Sequence, residues 1–172
     1  GRDQADVTGL IGQYAQGNEP SHHMAYLFAY AGMPWRTEEL VHKICTEFYT
    51  NSPDGLIGNE DCGQMSAWFV LSSIGFYPVC PGDGKYILGT PLFDEVKINL
   101  ENGKTFVIAA DRNKSADYYV TDVRLNGKVY TKTFLWHTDL AEGGKLQFRL
   151  GSTANKARGT LQKDIPSSSI PD

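Results

Sequence analysis

Cysteine is scarce in this sequence, and the cysteines that occur follow no recognised spacing. There are three, Cys45, Cys62 and Cys80. An odd number without a CxxC pair argues against a disulfide framework and against a zinc ribbon. Cys62 lies beside carboxylates, as a nucleophile would, yet no neighbouring residue indicates an activated thiol. We therefore predict that Cys62 is a small, buried structural residue.

Long apolar runs and clusters of positive charge are also absent. No stretch approaches the roughly 18 apolar residues of a membrane span, so we predict no span in this chain. The 16 Lys and Arg residues are scattered and the formal net charge is -4, which argues against nucleic acid as a partner. The start, Gly1-Arg2-Asp3-Gln4, is not a signal peptide. We expect a removed targeting segment or a piece of a longer protein.

What the sequence does contain is enough apolar material for a packed core, since 41% of its 172 residues are hydrophobic. One large domain or two small ones fit this length. Apolar residues at helical spacing predict helices over residues 23–31, 37–48 and 64–74. Residues 1–16 are interrupted by glycines, which predicts a loop or a frayed lead-in.

The first two predicted helices differ in their exposure. The first is expected to be short and buried, ending at Gly32 with Pro34 beyond it as a breaker. The second is expected to be half-exposed, because Glu38 and other charged residues share one face of it.

Beyond Gly75-Phe76-Tyr77-Pro78 the pattern changes from helical spacing to short runs, several with alternating apolar and polar residues. The runs predict strands at 86–88, 96–100, 105–108, 118–125 and 146–150. Asn102-Gly103 and Asn126-Gly127 lie between such runs and suit type I′ hairpin turns. We therefore expect an antiparallel sheet in this half of the chain.

These patterns divide the chain into three parts, with a boundary near Val79. Residues 1–78 form a helical portion and residues 79–151 form an antiparallel β subdomain. Residues 152–172 are polar and without periodicity, which predicts a loosely packed tail.

A carboxylate-rich segment, Gly58-Asn59-Glu60-Asp61-Cys62-Gly63-Gln64-Met65-Ser66-Ala67-Trp68, leads into the third helix. Asp61 is placed as its N-cap, and Gln64 three residues later completes a capping box. Capping needs one carboxylate, so Glu60 is in excess. Crowded carboxylates can be driven to different pKa values, as acid–base catalysis requires. From the residues alone, capping is the simpler role for Asp61 and catalysis the alternative.

A second polar segment, Gly17-Asn18-Glu19-Pro20-Ser21-His22-His23, carries several groups able to bind a cation or a sugar hydroxyl. Adjacent histidines on a helix point about 100° apart and rarely bind one metal ion together. We therefore favour substrate contact or N-terminal capping for His22 and His23 over a zinc site.

Several segments, in this order, resemble glycoside hydrolase family 92, the calcium-dependent exo-acting α-mannosidases common in gut and soil bacteria. The resemblance extends to about Gly151. The segments are Gly17-Asn18-Glu19-Pro20-Ser21-His22-His23-Met24-Ala25-Tyr26-Leu27, Thr50-Asn51-Ser52-Pro53-Asp54-Gly55-Leu56, Gly58 to Trp68, Gly75-Phe76-Tyr77-Pro78-Val79 and Gly89-Thr90-Pro91-Leu92-Phe93.

The resemblance implies an α+β fold in which helices of an (α/α)6 toroid precede the antiparallel strands of a sandwich-like subdomain. This chain looks like the C-terminal part of such an inverting exo-α-mannosidase. The implied substrate is a mannose-containing oligosaccharide, such as α-1,2-linked mannose of N-glycans or mannans. The implied partner is the remainder of the parent enzyme, in the periplasm or outside a bacterial cell.

The resemblance also implies roles for site residues. Asp61 resembles the general base, with Glu60 or Asn59 as its support. Asn18 and Glu19 supply hard oxygen ligands of the kind that calcium takes, and Glu19 also contacts the sugar. His22 or His23 would hydrogen-bond the sugar. The family's general acid, a glutamate in a Glu-Gly-Asn…Trp-Gln-Tyr segment, has no counterpart here, so we expect the isolated chain to be inactive.

The alternative function is a non-catalytic carbohydrate-binding module in which residues 80–151 form a free β-sandwich. Its sugar-stacking side chains would come from the aromatic residues of this half. Aromatic residues that alternate along strands are, however, more often part of a core. The candidates are Tyr118, Tyr119, Tyr130 and Trp136.

Overall fold

The computed structural model of the chain describes residues 7–167. Residues 1–6 of the expected lead-in and residues 168–172 of the expected tail lie outside the described residues. Helices precede most of the strands, so the mixed α and β content agrees with the prediction. Across residues 7–167, no helix is long and apolar enough to cross a membrane.

The chain begins with a small antiparallel hairpin of β1 (Leu10–Ile11) and β2 (Tyr14–Ala15). The expected loop or frayed lead-in is therefore wrong over this stretch. Tyr14 and Ala15 are buried, which holds the hairpin on the core. Gly12 has a φ of 61°, a left-handed conformation that glycine adopts without strain in the tight turn.

The helices follow in two groups. Short 3₁₀ turns at Glu19–Ser21 and Met24–Tyr26 lead into α1 (Leu27–Tyr30). The longer helices are α2 (Pro34–Glu47) and α3 (Gln64–Ile74). All three predicted helices are confirmed as helical segments, although the first divides into a 3₁₀ turn and one α-helical turn.

Three expectations about the first two helices are wrong. The 24–30 segment is not buried throughout, because Met24 is 40% exposed and Leu27 is 43% exposed. Pro34 is not a helix breaker but the first residue of α2. A backbone N–H at this position would have no acceptor within the helix, so proline is tolerated there. Glu38 is only 1% exposed, so it lies on the buried side of α2 and not on the solvent face.

The remaining strands are β3 (Phe76–Tyr77), β4 (Lys85–Leu88), β5 (Glu95–Asn99), β6 (Thr105–Asp111), β7 (Tyr119–Leu125), β8 (Lys128–Val129), β9 (Phe134–Trp136) and β10 (Gly144–Gly151). A 3₁₀ turn at Pro81–Asp83 precedes β4, and the short helix α4 (His137–Ala141) follows β9. The five predicted strands are confirmed within a few residues at their ends.

These strands form two sheets, in the orders β5-β6-β10-β7-β8 and β3-β4-β9. The strand pairs are antiparallel except β6 with β10, which run parallel, so the expectation of a wholly antiparallel sheet is wrong at that pair. Both Asn-Gly dipeptides connect antiparallel neighbours. Only Asn126-Gly127 has positive φ at both residues, as a type I′ turn requires.

Two apolar cores hold these elements together. The first surrounds the fully buried Trp68, Tyr26 and Ile44 of the helices and also includes Ile87 of β4. The second lies under the five-stranded sheet around Phe148 and receives one side of α3. Helix α3 therefore contacts both cores and positions the segment that precedes it. The division at Val79 stays a prediction.

Residues 152–167 pack against the rest of the chain, so the expected loose tail is wrong over this range. Arg158 is paired with Glu38 of α2, with 3.1 Å between Nη1 and Oε1. The backbone carbonyl of Asp164, in a 3₁₀ turn at Gln162–Asp164, accepts a hydrogen bond from the backbone N–H of Thr133 at 2.8 Å. Buried polar contacts therefore attach this polar segment to both the helices and the sheet.

Candidate active site

The loop before α3 does not have the predicted capping geometry. The N-cap residue is Gly63, with a φ of 94° and no side chain to accept a hydrogen bond. Asp61 and Cys62 also have positive φ, 51° and 57°, so the chain reaches the helix through three consecutive left-handed residues. The predicted capping box of Asp61 and Gln64 is wrong because this turn places Asp61 two residues before the N-cap.

Glu60 makes the contact with the helix that was expected of Asp61. Its carboxylate accepts hydrogen bonds from the backbone N–H of Ser66 at 3.1 Å and from Ser66 Oγ at 2.9 Å. Ser66 lies in the first turn of α3, where backbone N–H groups have no helical partner. Glu60 therefore stabilises the start of the helix and is not in excess.

Asp61 is half-buried, on the same short loop as the exposed Asn59. Its negative charge acts on the ring of His22, which belongs to the other polar segment, and Glu19 acts on the same ring. The 17–23 loop and the 58–63 loop, which we call the two site loops, are thus brought together around His22. Their sequence separation is large, and the fold alone brings them into proximity.

His22 is 2% exposed, and both of its ring nitrogens are engaged by protein atoms. Nε2 lies 2.9 Å from the carbonyl oxygen of Gln16, and Nδ1 lies 3.0 Å from Nε2 of Gln64. A carbonyl only accepts, so Nε2 carries the proton and Nδ1 accepts from Gln64. Burial lowers the pKa of His22, against the opposing effects of the Gln16 carbonyl, Glu19 and Asp61. The neighbouring His23 is exposed.

A buried polar network extends from this histidine, and sequence reasoning missed it. Gln64 also donates to Tyr77 Oη at 3.1 Å, and Trp68 Nε1 donates to the backbone carbonyl of His22 at 3.0 Å. Gln16 donates to Tyr49 Oη at 2.7 Å. Gln64 is the member of this network that the sequence analysis singles out, but it is interpreted there as part of a capping box and not as a partner of His22.

The expected calcium ligands lie at the start of the first 3₁₀ turn. Asn18 is half-buried and Glu19 is exposed, so both oxygens are near the surface of the site loop. Their chemistry suits calcium, which takes six to eight oxygen ligands. Within residues 7–167 there is no group of three or more His, Cys, Asp or Glu side chains that could hold a metal ion. These residues therefore fit part of a calcium shell and do not complete it.

A cavity of about 500 Å³ lies beside the carboxylate loop. It is bounded by the 49–56 loop and by Glu60, Ser66 and Phe69 at the beginning of α3. Its volume falls in the range usual for small-ligand sites. Cys62 is exposed on the same loop, so its predicted buried structural role is wrong.

The aromatic residues proposed for a carbohydrate-binding module are in contact with other parts of the protein. Tyr118 stacks on His42 at 4.2 Å between ring centroids, and Tyr119 donates to Glu39 at 3.0 Å. Tyr130 donates to the backbone carbonyl of Phe134 at 2.9 Å, and Trp136 packs edge-on against the Phe134 ring. These contacts join β strands to α2 and to each other, which favours packing over glycan stacking.

Comparisons with known proteins identify relatives over nearly the whole chain. The sequence model of the glycosyl hydrolase family 92 catalytic domain matches residues 1–152. A family GH92 α-mannosidase from Bacteroides thetaiotaomicron, solved in complex with mannoimidazole, is 40% identical with a TM-score of 0.91, over 95% of this chain and 21% of that one.

Two further relatives have comparable coverage. A family GH92 inverting mannosidase from Bacteroides thetaiotaomicron is 43% identical with a TM-score of 0.85, over 91% of this chain and 21% of that one. An uncharacterized secreted glycosidase of Arthroderma benhamiae is 32% identical over 155 residues, 88% of this chain and 20% of the relative. The chain thus spans about a fifth of the length of these relatives.

Proposed function

The chain belongs to glycosyl hydrolase family 92, and we propose that it forms part of an exo-acting α-mannosidase that removes terminal mannose with inversion of configuration. The observation that carries this proposal is the 40% identity and TM-score of 0.91 with an α-mannosidase solved in complex with mannoimidazole. The approach of the two site loops around His22 supports it, because one loop carries the expected sugar contacts and the other carries the expected general base.

In this proposal Asp61 is the general base that activates the attacking water. Glu60 is held by Ser66, whereas Asp61 is not the helix cap, so the two adjacent carboxylates have separate tasks. Glu60, through its hydrogen bonds with Ser66, or the neighbouring Asn59 supports the loop that presents Asp61. A base must be held within hydrogen-bonding reach of the water, and the left-handed turn at Asp61 directs its side chain differently from that of Glu60.

The general acid comes, in this proposal, from the remainder of the parent enzyme. The two carboxyl groups of an inverting glycosidase lie ~6.5 to 9.5 Å apart on opposite sides of the scissile bond. Glu60 is adjacent to Asp61 and directed at Ser66, which makes it unsuitable as the acid. We therefore propose that the isolated chain does not catalyse the reaction.

We further propose that Asn18 and Glu19 contribute oxygen ligands to a calcium site completed by the rest of the parent. Calcium, when bound there, would hold sugar hydroxyls and polarise them. Glu19 and His23 would hydrogen-bond the mannose directly. His22 would hold the 17–23 loop in place and not contact the sugar, because its ring nitrogens are already hydrogen-bonded to Gln16 and Gln64.

The proposed substrates are mannose-containing oligosaccharides, with α-1,2-linked mannose of N-glycans or mannans as the first choice. We propose that the parent enzyme is exported from the cell. The secreted fungal relative supports export, while the bacterial mannosidases support the substrate class. The likeness to proteins from both kingdoms does not favour a bacterial source over a fungal one.

The experiment is an assay of the full-length parent on α-1,2-linked mannobiose, with the released mannose followed by proton NMR. We expect β-mannose as the first product, because inversion of an α-linkage gives the β-anomer. Excess chelator should abolish turnover, and calcium should restore it better than magnesium, because calcium accepts more and less regular oxygen ligands. Release of α-mannose first would contradict inversion, and full activity in chelator would contradict the calcium site.

A further inference from the structure

We propose that Gln64 is a positioning residue whose side-chain amide holds the two site loops in register through His22. The inference rests on the proposed function, because the loops it joins carry the proposed general base and the proposed sugar contacts. It concerns a residue that follows the base by three positions in sequence but faces the other loop.

The side-chain amide of Gln64 connects three segments of the fold. Its Nε2 lies 3.0 Å from His22 Nδ1 on the 17–23 loop and 3.1 Å from Tyr77 Oη on β3. Its backbone N–H donates to the carbonyl oxygen of Asp61 at 3.2 Å. Gln64 therefore hydrogen-bonds both to the backbone of Asp61, the proposed base, and to the ring of His22 in the 17–23 loop.

The hydrogen-bonding capacity of His22 makes the contact with Gln64 specific to a donor. Nε2–H is used by the Gln16 carbonyl, so Nδ1 is left with a lone pair and needs an N–H or O–H group. The ring is 2% exposed, so water does not readily replace a lost partner. An unsatisfied buried acceptor costs free energy, and the loop would shift to satisfy it.

Other contacts already hold the histidine's backbone, so the amide acts on the side chain alone. The His22 N–H donates to the Glu19 carbonyl at 2.9 Å, and the His22 carbonyl accepts from Trp68 Nε1 at 3.0 Å. Loss of the Gln64 amide should therefore leave the fold intact while the ring, and the loop residues above it, lose their fixed position. A displacement of about 1 Å at the reacting groups can reduce turnover by roughly 10²-fold.

The test replaces Gln64 with methionine in the full-length parent, because methionine has a similar length and no N–H donor. We expect kcat on α-1,2-linked mannobiose to fall roughly 10- to 100-fold, with a much smaller change in KM and in the thermal midpoint. Nitrogen NMR of the His22 ring should show a shift of Nδ1 but not of Nε2, since only Nδ1 loses its partner.

Two control variants separate this role from a structural one. Gln147→Met makes the same substitution on the exposed face of β10 and should leave kcat and KM unchanged. Tyr77→Phe removes the second partner of the amide and keeps the first, so it should retain most of the wild-type kcat. If Gln64→Met fails to fold, Gln64→Leu, which also fails to donate to Nδ1, carries the same expectation.

The outcomes distinguish this inference from the proposed function. An inactive wild-type parent would overturn the proposed function and this inference with it. An active parent in which Gln64→Met keeps its kcat, or in which Tyr77→Phe is as impaired as Gln64→Met, would overturn the inference alone. A loss of kcat matched by an equal loss of folded protein would also overturn it.

Discussion

Glu60 and Asp61 are adjacent carboxylates with different surroundings, and the backbone between them explains the difference. Left-handed conformations at Asp61, Cys62 and Gly63 turn the chain so that Glu60 faces the first turn of α3. Consecutive side chains in a regular helix or strand would have had predictable directions, but this turn has no such period. The capping role therefore belongs to Glu60, and the general-base role of Asp61 stays a proposal.

Glu60→Ala should destabilise the chain by about 0.5 to 2 kcal/mol, the usual effect of removing a side chain that caps a helix. The two hydrogen bonds from Ser66 are lost, and its backbone N–H, in the first turn of α3, has no replacement partner within the helix. Urea unfolding of the wild type and the variant measures the change. Asp54→Ala, an exposed acid on the neighbouring loop, is the matched control and should change stability little. Equal stability of Glu60→Ala and wild type would contradict the capping role.

Asp61→Asn in the full-length parent should lower kcat by roughly 10² or more, because asparagine cannot accept the proton from water. Asparagine tolerates the left-handed φ of 51° at this position, so the thermal midpoint should move little. Turnover on α-1,2-linked mannobiose and a thermal melt of the same sample give both values. Unchanged turnover would return Asp61 to a purely structural role.

At the scale of elements, a buried ion pair connects α2, β7 and the 152–167 segment. Glu38 of α2 contacts Arg158 Nη1 through Oε1 at 3.1 Å, and its Oε2 accepts from the backbone N–H of Val120 at 3.0 Å. Both charged side chains are almost completely buried. Breaking such a pair leaves an uncompensated buried charge. The ion pair therefore helps to attach the 152–167 segment to α2.

Burial raises the pKa of Glu38 to about 7, although the positive charge of Arg158 acts in the opposite direction. The folded state then holds this proton more tightly than the unfolded state, in which the pKa is near the ordinary value of 4.5. The resulting stabilisation is complete below the ordinary pKa and is lost as the pH rises through about 7.

We therefore expect the wild-type free energy of unfolding to decline from about pH 5 to about pH 8 more steeply than that of Glu38→Gln. The glutamine is uncharged throughout this range, so the variant lacks the linked proton. Urea unfolding at several pH values measures both slopes. The companion variant Arg158→Met should be destabilised most at the alkaline end of this range, by up to about 3 to 5 kcal/mol, because the ionised Glu38 then lacks its partner. Parallel pH profiles of wild type and Glu38→Gln would contradict the account.

At the scale of the whole molecule, the helical side exposes an apolar groove of about 560 Å³. Several large apolar side chains in or beside it are 38–54% exposed, which is unusual for one contiguous region. These residues are Leu10, Met24, Leu27 and Met33. Because the chain spans only about a fifth of its relatives' length, we expect the groove to be a surface on which other parts of the proposed parent enzyme pack.

The isolated chain should fold, because it has two apolar cores, but it should self-associate through this groove and fail to hydrolyse α-linked mannobiose in calcium. Leu27→Glu should reduce the association by placing a charge in the groove. Sedimentation velocity of both proteins measures it, with Val129→Glu, at an exposed residue of β8, as the control. Turnover by the chain alone, at a rate comparable to the full-length enzyme, would show that the general acid lies within residues 1–172.

Local sequence patterns were sufficient to predict much of the secondary structure. The helical spacing of residues 64–74 and the alternation along residues 105–108 both gave the observed element type. These patterns succeed because a helix or a strand that buries one face must repeat its apolar residues with the period of that element. The family resemblance depended in the same way on short, contiguous segments whose identity needs no knowledge of distant contacts.

Only the tertiary structure decided what the polar residues do. The sequence pattern places Glu38 on the charged face of its helix, but the structure buries it against Arg158. Arg158 lies 120 positions away, so no local pattern indicates this pair. Asp61 and Gln64 were paired as a capping box, yet Gln64 faces His22, 42 positions earlier. A polar side chain is satisfied by any complementary group within about 3 Å, and that requirement imposes no sequence period. The spacing of apolar residues along the sequence predicts which face of an element is buried. Hydrogen-bond partners depend instead on which distant segments the tertiary fold brings together.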